Sequence, residues 1–537
     1  MSGTQSAAGP TTGSGPDGAA HSRAAVSGSG AGRVSAALLA VAVALNAAGA
    51  MIVEIVAGRL LAPYFGMSLY TWTTVIGVVL AGLTCGHWIG GRLAGRYRAH
   101  LAPVIGLSFW LGALTTVLVL PVTGLVAGAL LRGEAAPALA IALSGLAGFF
   151  IPSLVAGLVQ PMATVFELQR AAAHSGPVVG RMLAAGAFGS ILGTFIAGFV
   201  LISWLGSAGT IWLVAGLNAV LGALFLPGLS RRGGALAAAG LLVPLAVISG
   251  GVTVPGFATP CQVESRYYCI RIDPADGQTG RASRLMALDH LVHSVNDEAD
   301  PQALFSPYLH LVDEIARHRF ADEPISAFFI GGGGFTLPRA WQARNPASDL
   351  TIAEIDPVVT RLAREKLWFA PGENTHVLER DARVALRAIP EAPRFDVVFG
   401  DAFHDIAIPA HLISDEFNAL VARRLKDTGF YVLNVVDDPS NPRLLASLLR
   451  TLKLRFPLLE VWVEPRDIQG ARRATFIVYA AKQPSGLEAT HRATYGYRHL
   501  WLRVDPASID IDGLGITLTD DFAPVDRLLS GLWLGGD

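Results

Sequence analysis

Two features of the chain between residues 325 and 402 could do chemistry. They are a run of four glycines at 331–334 and a set of acidic residues that follow apolar stretches. Glu354 lies 23 residues after Gly331, at the end of the next apolar run. Glycines let a backbone approach a ligand where a Cβ atom would collide, and a carboxylate about 20 residues later can accept hydrogen bonds from ribose hydroxyls. The pattern predicts a nucleoside site; the alternative interpretation is a tight turn in an ordinary α/β protein.

Two further acidic residues follow later apolar stretches in the same way. Asp381, which precedes Ala382, comes after the third predicted strand, and Asp401 comes after the fourth. The carboxyl ends of parallel strands meet at one edge of a doubly wound sheet, and ligands bind at that edge. We therefore expect Glu354, Asp381 and Asp401 to surround one cavity.

The glycines do not match a dinucleotide fingerprint, because Thr336 stands where the third glycine would fall. A nucleoside without phosphates, such as an adenosyl-sulfonium compound, is therefore favoured. The spacing of the histidines matches no metal site, so we predict no metal and ordinary polar or substrate-side histidines. His404, beside Asp405, is of interest because a histidine could act as a base.

The elements that would position these residues form two halves. An α-helical multi-span membrane domain is predicted at 34–251, after a disordered tail at 1–33. A small antiparallel β subdomain with a helix is predicted at 261–323, then a doubly wound, Rossmann-like domain of seven strands at 324–485, and a C-terminal extension at 486–537. Within that extension, residues 519–524 are either a surface turn or a contribution to the site.

The first half is apolar enough to enter a bilayer. Only 15% of the chain is charged, against about 25% in a typical soluble protein. The apolar runs predict about seven spans at 35–57, 71–91, 103–131, 136–161, 184–204, 208–228 and 234–251. Recurrent glycines in these runs predict closely packed membrane helices. A net charge of −1 gives no indication of nucleic-acid binding.

The arginines between these spans predict a multi-pass protein of the plasma membrane with a cytoplasmic N-terminus. Seven spans would then leave the C-terminal half outside, where Cys261 and Cys269 could form a disulfide rather than two free thiols. An adenosyl-sulfonium compound is made inside the cell, which favours the inside instead. The sequence therefore leaves open on which side of the membrane the C-terminal half lies. Glu54 and Arg59, at the end of the first span, are either functional groups at membrane depth or side chains that reach the interface.

The soluble half resembles the spermidine synthase family, the aminopropyltransferases, over roughly residues 262–480. The resemblance rests on the glycine run that leads into Thr336-Leu337-Pro338-Arg339, on Glu354-Ile355-Asp356-Pro357, on Asp381-Ala382, on Asp401, and on Glu416-Phe417. Val263-Glu264-Ser265, Tyr267 and Leu288-Asp289-His290 resemble the family's β subdomain. The membrane half is similar to the one fused to such domains in bacterial membrane proteins.

The resemblance implies decarboxylated S-adenosylmethionine, or S-adenosylmethionine, as cosubstrate and a small amine as acceptor. Glu354 would hold the ribose hydroxyls, and Asp381 with Ala382 the adenine. The backbone of Gly331, Gly332 and Gly333 would lie along the sulfonium region. Asp401 would orient the attacking amine and accept its proton, with His404 as a second catalytic candidate. The expected partners are that amine, the lipid bilayer and, as an open option, a second copy of the chain.

The chain departs from the family pattern at three places. Gly334 stands where the family has an acidic residue, 305–307 read Phe-Ser-Pro instead of Tyr-His-Glu, and the second strand-four aspartate is replaced or displaced by His404 and Asp405. Three functions therefore stay open. They are a membrane-anchored aminopropyltransferase, an S-adenosylmethionine-dependent methyltransferase, and a transport or sensing protein that binds a nucleoside or polyamine without turnover.

Overall fold

The computed structural model describes residues 35–133, 135–170, 175–225, 256–392, 394–403, 406–468 and 471–534. The predicted tail at 1–33, the predicted span at 234–251 and His404 lie outside the described residues.

Long apolar helices make up the first half of the described chain. They are α1 (Ala36–Phe65), α2 (Leu69–Arg96), α3 (Leu101–Arg132), α4 (Pro137–Arg170), α5 (Ser175–Ile196) and α6 (Ile202–Phe225). Among the described residues, 5 helical runs are long and apolar enough to cross a membrane, and the last of them, Ser175–Phe225, contains both α5 and α6. That run is broken at Gly206, whose φ of 67° no helix adopts. The predicted multi-span helical region is confirmed, and the fifth and sixth predicted spans meet at this break.

Glycines let these helices approach each other closely. A Cβ atom on Gly82 or Gly90 of α2 would lie 2.7 Å from the Phe150 carbonyl oxygen or 2.6 Å from that of Leu158, both on α4. Without a hydrophobic driving force between helices in lipid, such close backbone contact is a main source of their association.

A small antiparallel sheet begins the soluble half, as the sequence predicted. Its strands run in the order β1 (Val263–Glu264), β2 (Cys269–Pro274), β3 (Ser283–Leu288) and β4 (Leu291–Asp297), with the one-turn helix α7 (Asp276–Thr279) between β2 and β3. Cys261 and Cys269 form a disulfide, one of the two states that the sequence left open.

The α/β domain follows. Its first part contains α8 (Pro307–Phe320), β5 (Ser326–Ile330), α9 (Thr336–Arg344), β6 (Asp349–Ala353), α10 (Pro357–Lys366), β7 (Thr375–Leu378), α11 (Ala382–Ala388) and β8 (Phe395–Gly400). Its second part contains α12 (Asp415–Arg424), β9 (Leu425–Asp437), α13 (Arg443–Leu452), β10 (Leu458–Val463), α14 (Pro465–Ile468) and β11 (Ala474–Ala481). The seven predicted strands are all present and lie in the order β10-β11-β9-β8-β5-β6-β7.

The central strands of this sheet are parallel and largely buried. Strands β5 to β9 pair in parallel, whereas β11 and β10 are antiparallel to their neighbours. Every residue of β8 is buried, which explains why the sequence of this strand is apolar except for Asp396. The doubly wound fold predicted from the sequence is confirmed.

The C-terminal extension enlarges the sheet, which the sequence did not indicate. The strands β13 (Leu500–Val504) and β12 (Thr490–Arg492) add to the edge beside β10 and bring the sheet to nine strands in the described chain. The short helices α15 (Ile511–Leu514), α16 (Val525–Leu528) and α17 (Ser530–Leu534) follow.

Candidate active site

One cavity lies at the carboxyl ends of β5, β6, β7 and β8. Its volume is about 350 Å³, which falls within the usual range of small-molecule sites. The residues predicted to form the site line it, namely Gly331, Gly332, Gly333, Glu354, Asp381, Ala382 and Asp401. The structure thus brings together side chains that come from three separate strand ends.

The glycine turn forms the floor of the cavity. Gly331 has a φ of 97°, and a Cβ atom there would lie 2.7 Å from the Asp401 carbonyl oxygen. Both the positive φ and the close approach therefore require glycine. The turn ends at Phe335, a buried residue whose ring stacks on Phe369 with 4.2 Å between centroids. This stack gives the turn a rigid support.

Glu354 is buried and already holds backbone donors. Its Oε2 accepts hydrogen bonds from the Gly332 and Gly333 amides at 2.8 Å and 3.2 Å, and its Oε1 accepts one from the Asp356 amide at 2.9 Å. Burial raises the pKa of the Glu354 carboxyl, and these three donors act in the opposite direction. A carboxylate held in this way is a fixed acceptor beside the turn.

Asp401 is held by side chains instead. The Tyr308 hydroxyl donates to Oδ2 at 3.2 Å, and the Asn434 side-chain amide donates to Oδ1 at 2.9 Å. Burial raises the pKa of Asp401 to about 7, although both donors lower it. A carboxyl group with a pKa near neutrality can exchange a proton under physiological conditions.

Asp381 is the N-cap residue of α11 and is paired with His411. Its Oδ1 accepts a hydrogen bond from the Val384 amide at 3.0 Å, which caps the helix. The other oxygen lies 2.7 Å from Nε2 of His411. A ligand that used Asp381 would therefore share it with, or displace, an exposed histidine.

Two tyrosines from the β subdomain form the opposite wall. Tyr267 and Tyr268 line the cavity, and the Tyr268 hydroxyl donates to the Phe403 carbonyl at 3.1 Å. His293 lines it as well, and burial lowers the pKa of its imidazole. The wall is thus aromatic and uncharged at neutral pH, which suits a flat base or an apolar chain.

Gly334 marks the place where the family pattern is broken. A Cβ atom there would collide with the Ser294 side chain. Asn296 also donates to the Gly334 carbonyl at 2.8 Å. The turn therefore has no room for the acidic side chain that the family carries.

Sequence reasoning missed Tyr308, Asn434 and the pairing of His411 with Asp381. Tyr308 follows Pro307, the first residue of α8, and Asn434 is a polar residue inside the apolar run of β9. That buried polar residue was the available signal. His404 lies outside the described residues, so its predicted role stays a prediction.

A doubly wound sheet with a glycine turn and three acidic residues at its carboxyl edge is typical of α/β proteins that bind nucleosides. Similar proteins of known name point to one kind of α/β protein. The chain is 36% identical over 138 residues to a polyamine aminopropyltransferase of Vibrio vulnificus, which covers 25% of the chain and 46% of that relative. It is 28% identical over 335 residues to polyamine aminopropyltransferase 2 of Streptomyces coelicolor, which covers 56% of the chain and 58% of the relative.

A solved structure, a probable spermidine synthase from Corynebacterium glutamicum, matches with a TM-score of 0.42 and 22% identity over 49% of this chain and 96% of that chain. No family model matches the chain. The chain spans about half the length of the two curated relatives. The chain is thus similar in sequence to polyamine aminopropyltransferases over part of their length.

Proposed function

We propose that this protein is a membrane-anchored transferase that moves an aminopropyl group from decarboxylated S-adenosylmethionine to a small amine. The observation that carries the proposal is the position of Asp401. Its carboxyl group, with a pKa of about 7, lines the same cavity as the glycine turn and Glu354. A proton acceptor beside a nucleoside site is what attack by an amine on a sulfonium compound requires.

The reaction follows from that geometry. The neutral amine nitrogen forms a bond to the carbon next to the sulfonium sulfur, and the carbon–sulfur bond breaks with its electron pair moving to sulfur. Methylthioadenosine leaves, and the proton lost by the amine passes to the Asp401 carboxylate. Glu354 holds the ribose and the uncharged wall keeps water away, so positioning supplies much of the acceleration.

Incubation of the purified full chain with each labelled sulfonium donor and a set of amines tests the proposal. Release of methylthioadenosine, with an aminopropylated product, is the expected result. Nucleoside binding without any release would contradict a transferase and support the transport or sensing alternative.

A methyltransferase is the second candidate, and Gly334 favours it. The acidic side chain that would contact an aminopropyl ammonium is absent, and Ser294 occupies its space. In the same assay a methyltransferase would release adenosylhomocysteine from S-adenosylmethionine. The donor preference therefore separates the two enzymes directly.

We further propose that the α/β domain faces the outside of the cell. Arg96 ends α2 and Arg98 follows it, whereas Arg170 ends α4 and Arg181 lies in the second turn of α5. All four are at the end of the bundle where α1 begins, and the positive-inside rule assigns that end to the cytoplasm. The soluble half contacts the other end, where α1 finishes and α6 begins, and its disulfide is typical of an oxidising compartment.

A reporter fused to the C-terminus tests this orientation. We expect alkaline phosphatase to be active there and a cytoplasmic fluorescent reporter to be dark. An outside location would require that the cosubstrate cross the membrane first. The opposite reporter result would give an inside catalytic domain that uses the cytoplasmic pool.

A further inference from the structure

Arg59 is a buried arginine near the end of a membrane helix. Helix α1 has 30 residues and is therefore about 45 Å long, whereas the hydrocarbon core of a bilayer is about 30 Å thick. A helix of this length extends beyond the core, and Arg59 lies in its last two turns with 8% of its surface exposed. The side chain is buried against the rest of the protein, in addition to any position that it takes at the interface.

The guanidinium group binds a single turn of the soluble half. Nη1 donates to the Tyr267 carbonyl at 2.7 Å, and Nη2 donates to the Ser265 carbonyl at 2.8 Å. The rigid fork of an arginine suits two acceptors at a fixed separation, and each hydrogen bond is assisted by the charge. Removal of the side chain would leave both carbonyls without these donors.

That turn carries the aromatic wall of the cavity. The Ser265 hydroxyl oxygen accepts hydrogen bonds from the amides of Tyr267 and Tyr268 at 3.0 Å and 2.8 Å, which fixes the turn. The same hydroxyl and the Arg59 charge lower the pKa of Asp356, which burial raises. Asp356 donates its amide to Glu354. The arginine thus contacts the backbone of Tyr267 directly, and it is linked to Glu354 through Asp356.

A second membrane helix holds the same segment from its other end. Ser207 follows the break at Gly206 and donates its amide and its hydroxyl to Glu264 at 3.0 Å and 2.6 Å. The first amides of a helix have no partner within the helix and favour a carboxylate. Glu264 therefore caps the part of α6 that follows the break at Gly206, and residues 264–267 are bound by α1 and α6 together.

We propose that Arg59 is a positioning residue, through which the membrane helices hold the Tyr267–Tyr268 wall in place and complete the nucleoside cavity. The proposal rests on the proposed function, since it concerns the same cavity. It assigns the membrane half a part in forming the site, in addition to anchoring. Loss of the two hydrogen bonds should loosen the wall without moving Asp401.

The test uses the full chain in lipid nanodiscs, with the variants Arg59→Gln and Arg59→Lys and the control Arg132→Gln. Arg132 is an exposed arginine at the end of α3, on the same side of the bundle as Arg59. Three quantities are measured: the dissociation constant for methylthioadenosine, kcat, and hydrogen–deuterium exchange of the amides at 265–268. Thermal unfolding of each variant is recorded beside them.

We expect Arg59→Gln to weaken methylthioadenosine binding by about tenfold, the loss expected for one charge-assisted hydrogen bond. Exchange at 265–268 should become faster, and kcat at saturating donor should fall less than the affinity. Arg59→Lys should recover part of the affinity because it retains the charge and one donor nitrogen in place of the two that bind the carbonyls. Arg132→Gln should match the wild type in all three quantities.

Unchanged affinity and exchange in Arg59→Gln would overturn the proposal, and so would a loss equal to that of Arg132→Gln. If Arg59→Gln does not fold, Arg59→Lys decides, and it must bind at least about threefold more weakly than the wild type. A wild-type chain that binds no methylthioadenosine would overturn the proposed function itself. Exchange at 265–268 would still report whether Arg59 holds the turn.

Discussion

Two carboxyl groups that line the cavity, those of Glu354 and Asp401, are held by different kinds of hydrogen-bond donor. On the glycine side, Glu354 accepts three hydrogen bonds from backbone amides, which cannot move without the turn. Asp401, at the end of β8, accepts two hydrogen bonds from the described residues, both from side chains, and burial raises its pKa to about 7. Rigid donors suit a group that binds, and a pKa near neutrality suits a group that transfers a proton. Under the proposed function, the source of the hydrogen-bond donors would separate the group that binds, Glu354, from the group that transfers a proton, Asp401.

The largest effect should come from Asp401→Asn, which removes the proton acceptor. We expect kcat to fall by about 10²–10⁴-fold, the usual contribution of a general base, while methylthioadenosine affinity changes little. Steady-state kinetics and direct binding measure the two. Asp437→Asn is the matched control, because the pKa of Asp437 is also raised to about 7 but this residue lies outside the cavity lining. Equal losses in both variants would remove Asp401 from the chemistry.

Glu354→Gln should show the reverse pattern. An amide keeps the shape but loses the charge and turns one acceptor into a donor that faces backbone amides. We expect affinity for methylthioadenosine to fall by about 10- to 100-fold, and kcat at saturation to fall less. Glu460→Gln is the control, since Glu460 is buried and accepts from the Ser485 amide outside the cavity lining. A variant that loses kcat but keeps affinity would reverse the roles assigned to the two carboxyl groups.

Asp381→Asn tests the edge of the cavity, where a carboxylate is paired with His411. The helix cap survives, because asparagine is also a good N-cap residue. We expect affinity to fall by about tenfold or less, as the predicted contact with the adenine amino group is weakened. Calorimetric titration with methylthioadenosine and with an analogue that lacks the amino group measures this. An identical loss for both nucleosides would argue against contact with the adenine.

The smallest expected effect is a shift in the pH dependence of activity. Activity should rise as pH increases through about 7, since Asp401 acts in its deprotonated form. The Tyr308 hydroxyl donates to that form and lowers its pKa. Tyr308→Phe should therefore move the midpoint of the kcat profile to higher pH, with only a few-fold loss at the plateau. The control is Tyr479→Phe, whose hydroxyl donates to the Gln483 carbonyl instead. A midpoint that stays in place would mean that another group sets it.

Local patterns determined much of this protein in advance. Apolar runs followed by glycine or by an acidic residue predicted β5, β6 and β8 and placed Gly331, Glu354 and Asp401 just after their ends. Such predictions succeed because the ends of strands depend on residues that are close in sequence. Long apolar runs likewise identified the membrane helices. The sequence could not reveal that β12 and β13 would extend the sheet, since short strands with mixed polarity carry a weak signal.

The tertiary structure decided the partners of these groups. Tyr308 contacts Asp401 from 93 residues away, and Arg59 contacts the Tyr267 carbonyl from 208 residues away. Such contacts depend on how distant segments pack and leave no periodic trace in the chain. The types and order of the chemical groups could therefore be predicted from the sequence. Their hydrogen-bond donors, and the contact of Arg59 in α1 with the turn at 265–267, were decided only by the tertiary structure.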